Sequence, residues 1–473
     1  MRLMRYTPTR VLDAANAAFR RIPKEKVKGI LAKKEALAQR HGMCMFTDDG
    51  RPKVIDLQLR PWVFDEMQYR FFHKACMLLR QALSQVLPMY LELPRAREIV
   101  PLFPREHEWV MEINAGGLQQ PQTVLDRLDA TATFAAPDWQ ENFWFLEPNS
   151  VGIGGVHYIP ATCALSESWV MPTLKEYLPG PRFIHPDDTR QMLLKLFQRH
   201  AKLTGRRLRR IGLVEDRSAT GGTDEFGPLA RYYTRLGLPC TVVDPREMET
   251  RGDETFVKGK PVDLFYRDSE IEEMLEMVKR GEEQSLSGVR QAFVQNRMIS
   301  SIAGEFDHKS TWEFFTSPEF ERHFTFSQKR FFRRHVLWTR LIYERETTGP
   351  DGRPIDLVRY ARRRREQLTI KPNRMYGGEG VYFGHELTQA VWERYLEKAL
   401  KKPGNYVIQQ ATEVRAELFP VAQKDGSIRL EPYYAVTGFA ATPDGLAVLG
   451  RSSKAAVVNV SRRGGLIAIW RLG

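Results

Sequence analysis

One lysine and three glycines that could hold phosphate stand together in the segment 368–381, which runs Leu-Thr-Ile-Lys-Pro-Asn-Arg-Met-Tyr-Gly-Gly-Glu-Gly-Val. A predicted strand ends in Lys371, and the loop behind it contains Gly377, Gly378 and Gly380. Glycines let backbone N–H groups approach phosphate oxygens, and a lysine adds a positive charge to the same anion. The segment has neither the Gly-Lys-Ser/Thr of a Walker loop nor the spacing of a dinucleotide fingerprint. It predicts a phosphate-binding loop of another kind; a glycine-rich hairpin with a surface lysine is the alternative.

This segment resembles the nucleotide loop of the circularly permuted ATP-grasp proteins, whose best-known members are the glutathionylspermidine synthases. In that family a Lys-Pro strand end is followed by a Gly-Gly-x-Gly-Val loop that covers the phosphates of ATP. The resemblance implies ATP and Mg²⁺ as cofactors. It also implies that Lys371 is both catalytic and ATP-binding and that Gly377, Gly378 and Gly380 bind ATP.

The resemblance further implies a hairpin of magnesium ligands that precedes the nucleotide loop, with Arg-x-Asp on one strand and Glu-x-Asn on the next. The sequence has Arg127-Leu-Asp129 and then Glu147-Pro-Asn149. Residues two apart in a strand point to the same face, and Mg²⁺ prefers oxygen ligands such as these. Asp129, Glu147 and Asn149 are thus expected metal ligands, and Arg127 an expected catalytic residue at the transferred phosphoryl group. A polar strand edge with an Asx-type turn is the alternative.

A second phosphate-binding lysine is expected at the start of a helix upstream of the loop. Lys309 fits this place in the segment Phe-Asp-His-Lys-Ser-Thr-Trp, and helix N-termini favour anions. A surface lysine near a helix cap is the alternative.

The remaining expected residues lie in two C-terminal segments and one central strand. Family members hold adenine on a strand that ends in a Gln pair, which implies ATP contacts at Gln409, Gln410, Ala411 and Thr412. A closing Asn-x-Ser segment near a Gly-Gly turn makes Arg451 and Asn459 candidate substrate residues. Arg267 is a further candidate, with structural pairing to an aspartate as its alternative.

The elements that position these residues follow from hydrophobic periodicity. Apolar residues at helical spacing predict helices over 11–43, 65–87 (ended by Pro88), 187–204, 225–236 and 388–400. Short β-branched or aromatic runs predict strands over 109–113, 130–134, 143–146, 210–216, 240–244, 262–266, 368–370, 406–409, 435–439 and 455–460. The alternation between 210 and 266 implies a parallel sheet with crossover helices. The loop 346–353 is predicted to be a linker or flexible insertion.

The predicted fold class is α+β or α/β, a circularly permuted ATP-grasp fold with a parallel-sheet domain in front of it. We divide the chain into a helical N-terminal region (1–100), the magnesium hairpin with a connecting helix (101–205), a pre-ATP-grasp α/β domain (206–300) and the ATP-binding subdomains (301–473).

Composition limits the classes of function. No apolar run approaches the ~20 residues that cross a bilayer, no secretory signal begins the chain, and four scattered cysteines suit reduced thiols, so we expect a cytoplasmic protein without a membrane partner. The net charge of +13 raises nucleic-acid binding as a hypothesis. The short arginine runs lack the interleaved aromatic residues that stack on bases, which argues against nucleic acid as a partner.

The leading hypothesis is a carboxylate–amine ligase that forms an amide through an acyl-phosphate. Its partners would be a carboxylate and an amine, each a small molecule or peptide. The basic charge suits an acidic substrate, whereas a polyamine would need an acidic pocket that the sequence does not reveal. An ATP-binding scaffold with weak or no catalysis is the alternative.

Overall fold

The computed structural model describes residues 6–47, 49–218, 221–278, 286–455 and 464–473. Its helices in these ranges are α1 (Pro8–Arg21), α2 (Lys24–Arg40), α3 (Glu66–Leu83), α4 (Val86–Glu92), α5 (Pro94–Ile99), α6 (Pro104–Ile113), α7 (Tyr158–Trp169), α8 (Met171–Tyr177), α9 (Thr189–Leu203), α10 (Phe226–Arg235), α11 (Ile271–Val278), α12 (Ser287–Val294), α13 (Trp312–Thr316), α14 (Phe326–His335), α15 (Leu357–Arg363) and α16 (Gln389–Leu400).

The strands fall in short segments through the first three quarters of the chain and in longer ones near its end. They are β1 (Cys44–Phe46), β2 (Pro52–Val54), β3 (Trp62–Phe64), β4 (Arg127–Thr131), β5 (Trp144–Asn149), β6 (Phe183–Ile184), β7 (Ile211–Val214), β8 (Gly222–Thr223), β9 (Cys240–Val243), β10 (Met248–Arg251), β11 (Glu254–Val257), β12 (Lys260–Val262), β13 (Leu264–Arg267), β14 (Met298–Ile299), β15 (Thr339–Leu341), β16 (Glu346–Thr348), β17 (Pro354–Asp356), β18 (Leu368–Pro372), β19 (Tyr382–Phe383), β20 (Tyr406–Gln410), β21 (Ala416–Ala422), β22 (Ile428–Thr442), β23 (Gly445–Ser453), β24 (Gly464–Ile467) and β25 (Ile469–Leu472).

Most of the first hundred residues are helical, but the strands β1 to β3 lie between α2 and α3, and the helix boundaries differ from those predicted at the prolines. The helix predicted over 11–43 is two helices, because Ile22 and Pro23 are extended and a residue before proline disfavours the helical conformation. Pro88 does not end a helix but lies in the first turn of α4, where its missing N–H costs no hydrogen bond. The Asp65 capping box that begins α3 is present.

The prediction of a strand over 109–113 is wrong. Those residues form the last half of α6, which begins at Pro104 and has Glu106 bonded back to the backbone of Phe103. Trp109, Val110 and Ile113 are buried at helical spacing. A short apolar run does not by itself separate a strand from a buried helix, and the proline start was the missed signal.

The predicted parallel sheet is confirmed. Its order is β14-β13-β7-β9, and each neighbouring pair is parallel. Helices α9 and α10 pack against it, with Leu196, Phe197 and Leu229 in the shared core.

A six-stranded sheet joins two distant parts of the chain. Strands β24-β23-β22-β4-β5 form its main path, and β21 also pairs with β22. The β4–β5 hairpin therefore lies beside the long C-terminal strands. These strands and the N-terminal helices share the largest apolar core of the described residues.

A smaller antiparallel sheet, β15-β20-β18-β19, has its own core under α15 and α16, where Ile370, Ile408 and Trp392 are buried. The segment predicted as a linker at 346–353 is instead the start of the hairpin β16–β17. Across the described residues, no helix is both long and apolar enough to span a membrane.

Candidate functional site

A cavity of about 260 Å³ lies between the six-stranded sheet and the smaller antiparallel sheet. Residues from both sheets and from the loop after β18 line it. Eleven of the residues expected from the sequence are among them: Arg127, Asp129, Glu147, Asn149, Lys371, Gly377, Gly378, Gln409, Gln410, Thr412 and Arg451.

The β4–β5 hairpin presents the expected metal-binding residues on one face. Asp129 pairs with Glu147 and Arg127 with Asn149 in the antiparallel register, so all four side chains line the cavity. The proline between Glu147 and Asn149 does not interrupt β5, because β5 is an edge strand and edges tolerate proline.

Two guanidinium groups hold Asp129. Arg127 Nε lies 2.9 Å from Asp129 Oδ1, and Arg451 Nη2 lies 2.7 Å from Oδ2. Burial alone would raise the pKa of Asp129, but the positive charges of Arg127 and Arg451 outweigh it and lower the pKa. Asp129 is therefore an anion, and Arg451 is tied to the hairpin although the two are far apart in sequence.

The two expected phosphate-binding lysines converge near Glu147. Lys371 Nζ donates to Gln409 Oε1 at 2.7 Å. Lys309 Nζ lies 3.3 Å from Glu147 Oε2 and donates to the carbonyl of Met375 at 2.8 Å. Burial lowers the pKa of Lys371 to about 8, although the negative charge of Glu147 opposes the shift. Lys309 is the first residue of a single 3₁₀ turn that leads into the short helix α13, so it lies at a helical start as expected.

Asn373 connects the two lysine segments, and the sequence analysis missed it. Its carbonyl accepts from the Lys309 N–H at 3.0 Å, and its side-chain oxygen accepts from the Ser310 N–H at 2.9 Å. Its amide group donates to the carbonyl of Gly404 at 3.1 Å. The only sequence signal was its place directly after the Lys-Pro pair.

The glycine loop between β18 and β19 needs its glycines for conformation. Gly377, Gly378 and Gly380 have φ of 73°, 72° and 71°, a region that disfavours other residues. A Cβ on Gly380 would also lie 2.8 Å from Cγ of Pro372. Gly380 itself does not line the cavity, so it shapes the loop whose earlier glycines do.

An ionic clamp holds the beginning of this loop. Arg374 donates to both carboxylate oxygens of Glu106 at 2.8 Å and to Glu270 at 2.9 Å. Glu106 belongs to α6 and is fully buried. The N-terminal helical region thereby contacts the segment that follows Lys371.

At the far end of the cavity, several polar groups of β20 are already engaged. The Gln409 amide donates to the carbonyl of Leu146 at 3.1 Å and to Thr339 Oγ1 at 2.9 Å. The N–H groups of Gln410 and Ala411 donate to Trp338 and Gln367 carbonyls, both at 2.8 Å. The apolar part of the lining here is supplied by Leu146, Leu337, Val381, Phe383 and Val414.

Of the three candidate substrate residues, Arg451 lines the cavity, Arg267 does not, and Asn459 cannot be placed. Arg267 is fully buried, forms an ion pair with Glu305 and donates to the carbonyls of Ser300 and Ser301. Arg267 therefore does not line the cavity, and it is paired as the alternative expected, although its partner is a glutamate and not an aspartate. Asn459 lies outside the described residues. Lys309 and Ala411 border the site without lining the cavity.

The residues of the hairpin suit a hard cation. Among the described residues, no group of three or more His, Cys, Asp or Glu side chains is placed to hold a metal ion. The hairpin offers two carboxylates and one amide, and Asn149 uses its N–H in a 3.1 Å bond to the Arg127 carbonyl, which leaves the amide oxygen to offer. Mg²⁺ is commonly held by one or two carboxylates together with phosphate oxygens and water, so this donor set fits it.

Comparisons with known proteins give a likeness of fold. No protein-family model and no curated protein matches the chain. A glutathione synthetase-like effector from Globodera pallida, solved in its apo form, superposes with a TM-score of 0.64 over 96% of this chain and 98% of its own, at 12% identity. A candidate gamma-glutamylcysteine synthetase from Methylobacillus flagellatus KT reaches a TM-score of 0.37 over 79% of this chain and 85% of its own, at 9% identity. The chain is thus a mixed α/β protein whose fold is similar to that of a glutathione synthetase-like protein.

Proposed function

We propose that this protein is an ATP-dependent carboxylate–amine ligase of the circularly permuted ATP-grasp type. The observation that carries the proposal is the convergence of Lys371, Lys309 and the β4–β5 hairpin beside a loop whose glycines have positive φ. Lysines, hard oxygen ligands and accessible backbone N–H groups are what a triphosphate requires. The likeness to a glutathione synthetase-like fold agrees with this class of reaction.

In the proposed reaction, an oxygen of the substrate carboxylate attacks the γ-phosphorus, and the bond from that phosphorus to the β,γ-bridging oxygen breaks. The products of this step are an acyl-phosphate and ADP. The amine nitrogen then attacks the acyl carbon, the carbon–oxygen bond to phosphate breaks, and the nitrogen loses a proton. The products are an amide and inorganic phosphate.

The residues of this site act by position and charge. Lys371 and Lys309 would neutralise the phosphate oxygens, and Arg127 would meet charge that develops on the transferred phosphoryl group. Asp129, Glu147 and Asn149 would hold Mg²⁺, which supplies further neutralisation of the phosphates. Gln409 keeps Lys371 directed at the cavity through its 2.7 Å bond.

The adenine would lie at the apolar end of the cavity, against Leu146, Leu337 and Val414. Because the N–H groups of Gln410 and Ala411 are already bonded, contacts to the adenine edge would come from carbonyl oxygens of this strand and from Thr412.

One observation favours a non-catalytic ATP-binding scaffold as the second candidate. The oxygens expected to bind metal are paired with cations: Asp129 with Arg127 and Arg451, and Glu147 with Lys309. If these pairs persist when nucleotide binds, the protein would hold ATP without turning it over.

Titration with a non-hydrolysable ATP analogue, with and without Mg²⁺, tests the proposal. Wild type, Lys371→Ala and the exposed-lysine control Lys398→Ala are compared. We expect Mg²⁺-dependent binding in wild type and control, and weaker binding in Lys371→Ala. No binding to any of the three proteins would overturn the proposal. ATP-dependent phosphate release in a carboxylate and amine screen then separates a ligase from a scaffold.

A further inference from the structure

A second cavity, of about 550 Å³, adjoins the proposed nucleotide cavity, and Gln410 lines both. Its volume is in the range of about 300–1,000 Å³ that is typical of small-molecule sites. Neighbouring residues of one segment face different cavities: Leu337 lines the nucleotide cavity, whereas Val336 and Trp338 line the second one. The residues assigned above to phosphate and metal do not line it. It is therefore a separate compartment.

Packed phenylalanine rings form one wall of this second cavity. The ring centroids of Phe315 and Phe332 lie 4.9 Å apart at an interplanar angle of 29°, and Phe324 meets both rings edge-on at 5.3 Å. None of the three is more than 7% exposed. Trp144 and Trp338 also line the cavity. Such a wall favours a flat aromatic ligand, because ring contacts stabilise a complex beyond the apolar area that they bury.

A buried arginine holds the walls of the cavity in place. Arg340 is fully buried, and its Nη2 donates to the carbonyl of Thr316 at 3.0 Å and to that of Thr348 at 2.9 Å. Trp338 Nε1 donates to the same Thr348 carbonyl at 2.8 Å. Thr316 and Thr348 belong to different walls, the segment 314–318 and the hairpin β16–β17. A ligand would therefore not have to order these walls as it binds, which lowers the cost of binding.

Two cations of α14 are free to bind an anionic group. Lys329 and Arg333 lie one helical turn apart, and both line the cavity. Among the described residues, neither side chain forms an ion pair or a hydrogen bond. Two carboxylates also line the cavity, but Asp351 lies 3.7 Å from Arg353, which leaves Glu321 against two cations. The wall thus has an excess of positive charge.

The part of the chain around the cavity carries charge of the same sign. From the start of α14 to the end of α16 (326–400) there are 16 lysines and arginines against nine aspartates and glutamates, a net charge of +7 out of +13. Lys371 accounts for one of these cations, and most of the others have no part in the proposed reaction. Charge of one sign around a concave surface raises the local concentration of ions of the opposite sign. This charge distribution favours an anionic ligand.

We propose that the second cavity binds a small aromatic anion, whose ring packs against the three phenylalanines and whose anionic group contacts Lys329 and Arg333. A carboxylate, a sulfonate or a phosphate would serve, since an ammonium and a guanidinium donate to each of them. The site is distinct from that of ATP, so the two ligands bind at the same time. Gln410 lies between them, and its N–H donates to the carbonyl of Trp338 at 2.8 Å. The proposal goes beyond the ligase function and does not depend on it.

Naphthalene-2-sulfonate is the probe, and naphthalene-2-sulfonamide is its uncharged match. Both are titrated calorimetrically into wild type, into the cavity variant Lys329→Gln with Arg333→Gln, and into the control variant Arg330→Gln with Arg334→Gln. The control pair lies on the same helix and removes the same charge, but it does not line the cavity. We expect the sulfonate to bind wild type and the control variant alike and the cavity variant at least about tenfold more weakly. The sulfonamide should bind all three proteins weakly and equally.

Absence of sulfonate binding to wild type, or equal affinity of the sulfonate for all three proteins, would overturn this proposal. Equal binding of the sulfonate and the sulfonamide to wild type would overturn it as well. With the ATP analogue at saturation the sulfonate should still bind, and its displacement would instead place it in the nucleotide cavity. Similar melting temperatures of the three proteins show that the variants are folded. Failure of the analogue to bind would overturn the proposed function, while the two double variants would still report on the second cavity.

Discussion

Lys309 Nζ lies 3.3 Å from Glu147 Oε2, so a lysine expected to bind phosphate is paired with a carboxylate expected to bind metal. The same lysine also donates to the carbonyl of Met375 at the base of the glycine loop. If Mg²⁺ and phosphate bind here, Glu147 exchanges a lysine for the metal, and Lys309 exchanges a carboxylate for phosphate oxygens. The local charge then changes little, so the exchange costs little electrostatic free energy.

Glu147→Gln tests this exchange. The variant keeps the shape of the side chain but loses the charge that holds metal, so we expect turnover to fall by about a hundredfold or more. Analogue binding without Mg²⁺ should be retained or tightened, because Lys309 loses its anionic partner. Phosphate release and calorimetry with and without Mg²⁺ measure the two effects. Glu386→Gln, at an exposed site beside the smaller sheet, is the matched control; wild-type turnover in Glu147→Gln would contradict the metal-ligand role.

Lys371 predicts a pH dependence of nucleotide binding. Burial depresses its pKa from the usual 10.5 to about 8, so the free protein loses this positive charge as the pH rises through about 8. Because phosphate favours the protonated lysine, affinity for the Mg²⁺-free analogue should fall above that pH. In Lys371→Met the affinity should be weak and nearly flat over the same range. An identical pH profile in both proteins would show that Lys371 does not face phosphate.

The free energy of unfolding should depend on the pH in the opposite sense, because the loss of the Lys371 charge weakens nucleotide binding but favours folding. A lysine whose folded pKa is lowered binds fewer protons in the folded state than in the unfolded state between about pH 8 and 10.5. Its contribution to the free energy of unfolding therefore rises with pH across that window, by up to about 3 kcal/mol. Denaturant unfolding of wild type and Lys371→Met at several pH values measures this contribution. The free energy of unfolding of wild type should rise relative to that of Lys371→Met between about pH 8 and 10.5. A constant difference across this range would contradict the lowered pKa.

Gly380→Ala tests the conformation of the glycine loop. The φ of 71° and the 2.8 Å approach of a Cβ to Pro372 Cγ both oppose alanine, at a cost of about 1–2 kcal/mol. We expect the KM for ATP to rise several-fold while the melting temperature changes little, because the strain is confined to a loop. Gly116→Ala is the control, since a Cβ there meets nothing within 4 Å and its φ is not positive. Equal KM values in the two variants would contradict the assignment of this loop to nucleotide binding.

The family resemblance located the β4–β5 hairpin, and local pattern was enough to predict which of its side chains share a face and to find the glycine loop. Residues two apart in a strand share a face whatever the rest of the fold does, so Glu147 and Asn149 could be paired from sequence alone. Glycines in a run after a Lys-Pro pair likewise specify a backbone conformation locally, and the structure has all three at positive φ.

Contacts between residues far apart in the chain could not be predicted from the sequence. Arg374 and Glu106 are 268 positions apart, and the register of β4 against β22 brings Asp129 opposite Gly438. No local sequence pattern indicates either of these contacts. The sequence also does not indicate that the carboxylates of Glu215, Asp268 and Glu276 line one cavity, because the end of β7, the end of β13 and α11 come together only in the fold. For the same reason the partner of Arg267 could not be identified from the sequence, since Glu305 lies in a separate segment.

Arg374→Gln tests the contact between the N-terminal helical region and the glycine loop that follows Lys371. The substitution leaves Glu106, which is fully buried, and Glu270 without their shared cation, and losing one partner of a buried ion pair typically costs about 3–5 kcal/mol. We therefore expect a lower free energy of unfolding together with a raised KM for ATP, because the same arginine fixes the segment that follows Lys371. The double variant Glu106→Gln with Arg374→Gln removes both charges of one pair and should recover part of the stability. Recovery of KM along with stability would assign Arg374 a positioning role through Glu106, whereas an unchanged KM in both variants would confine the clamp to folding.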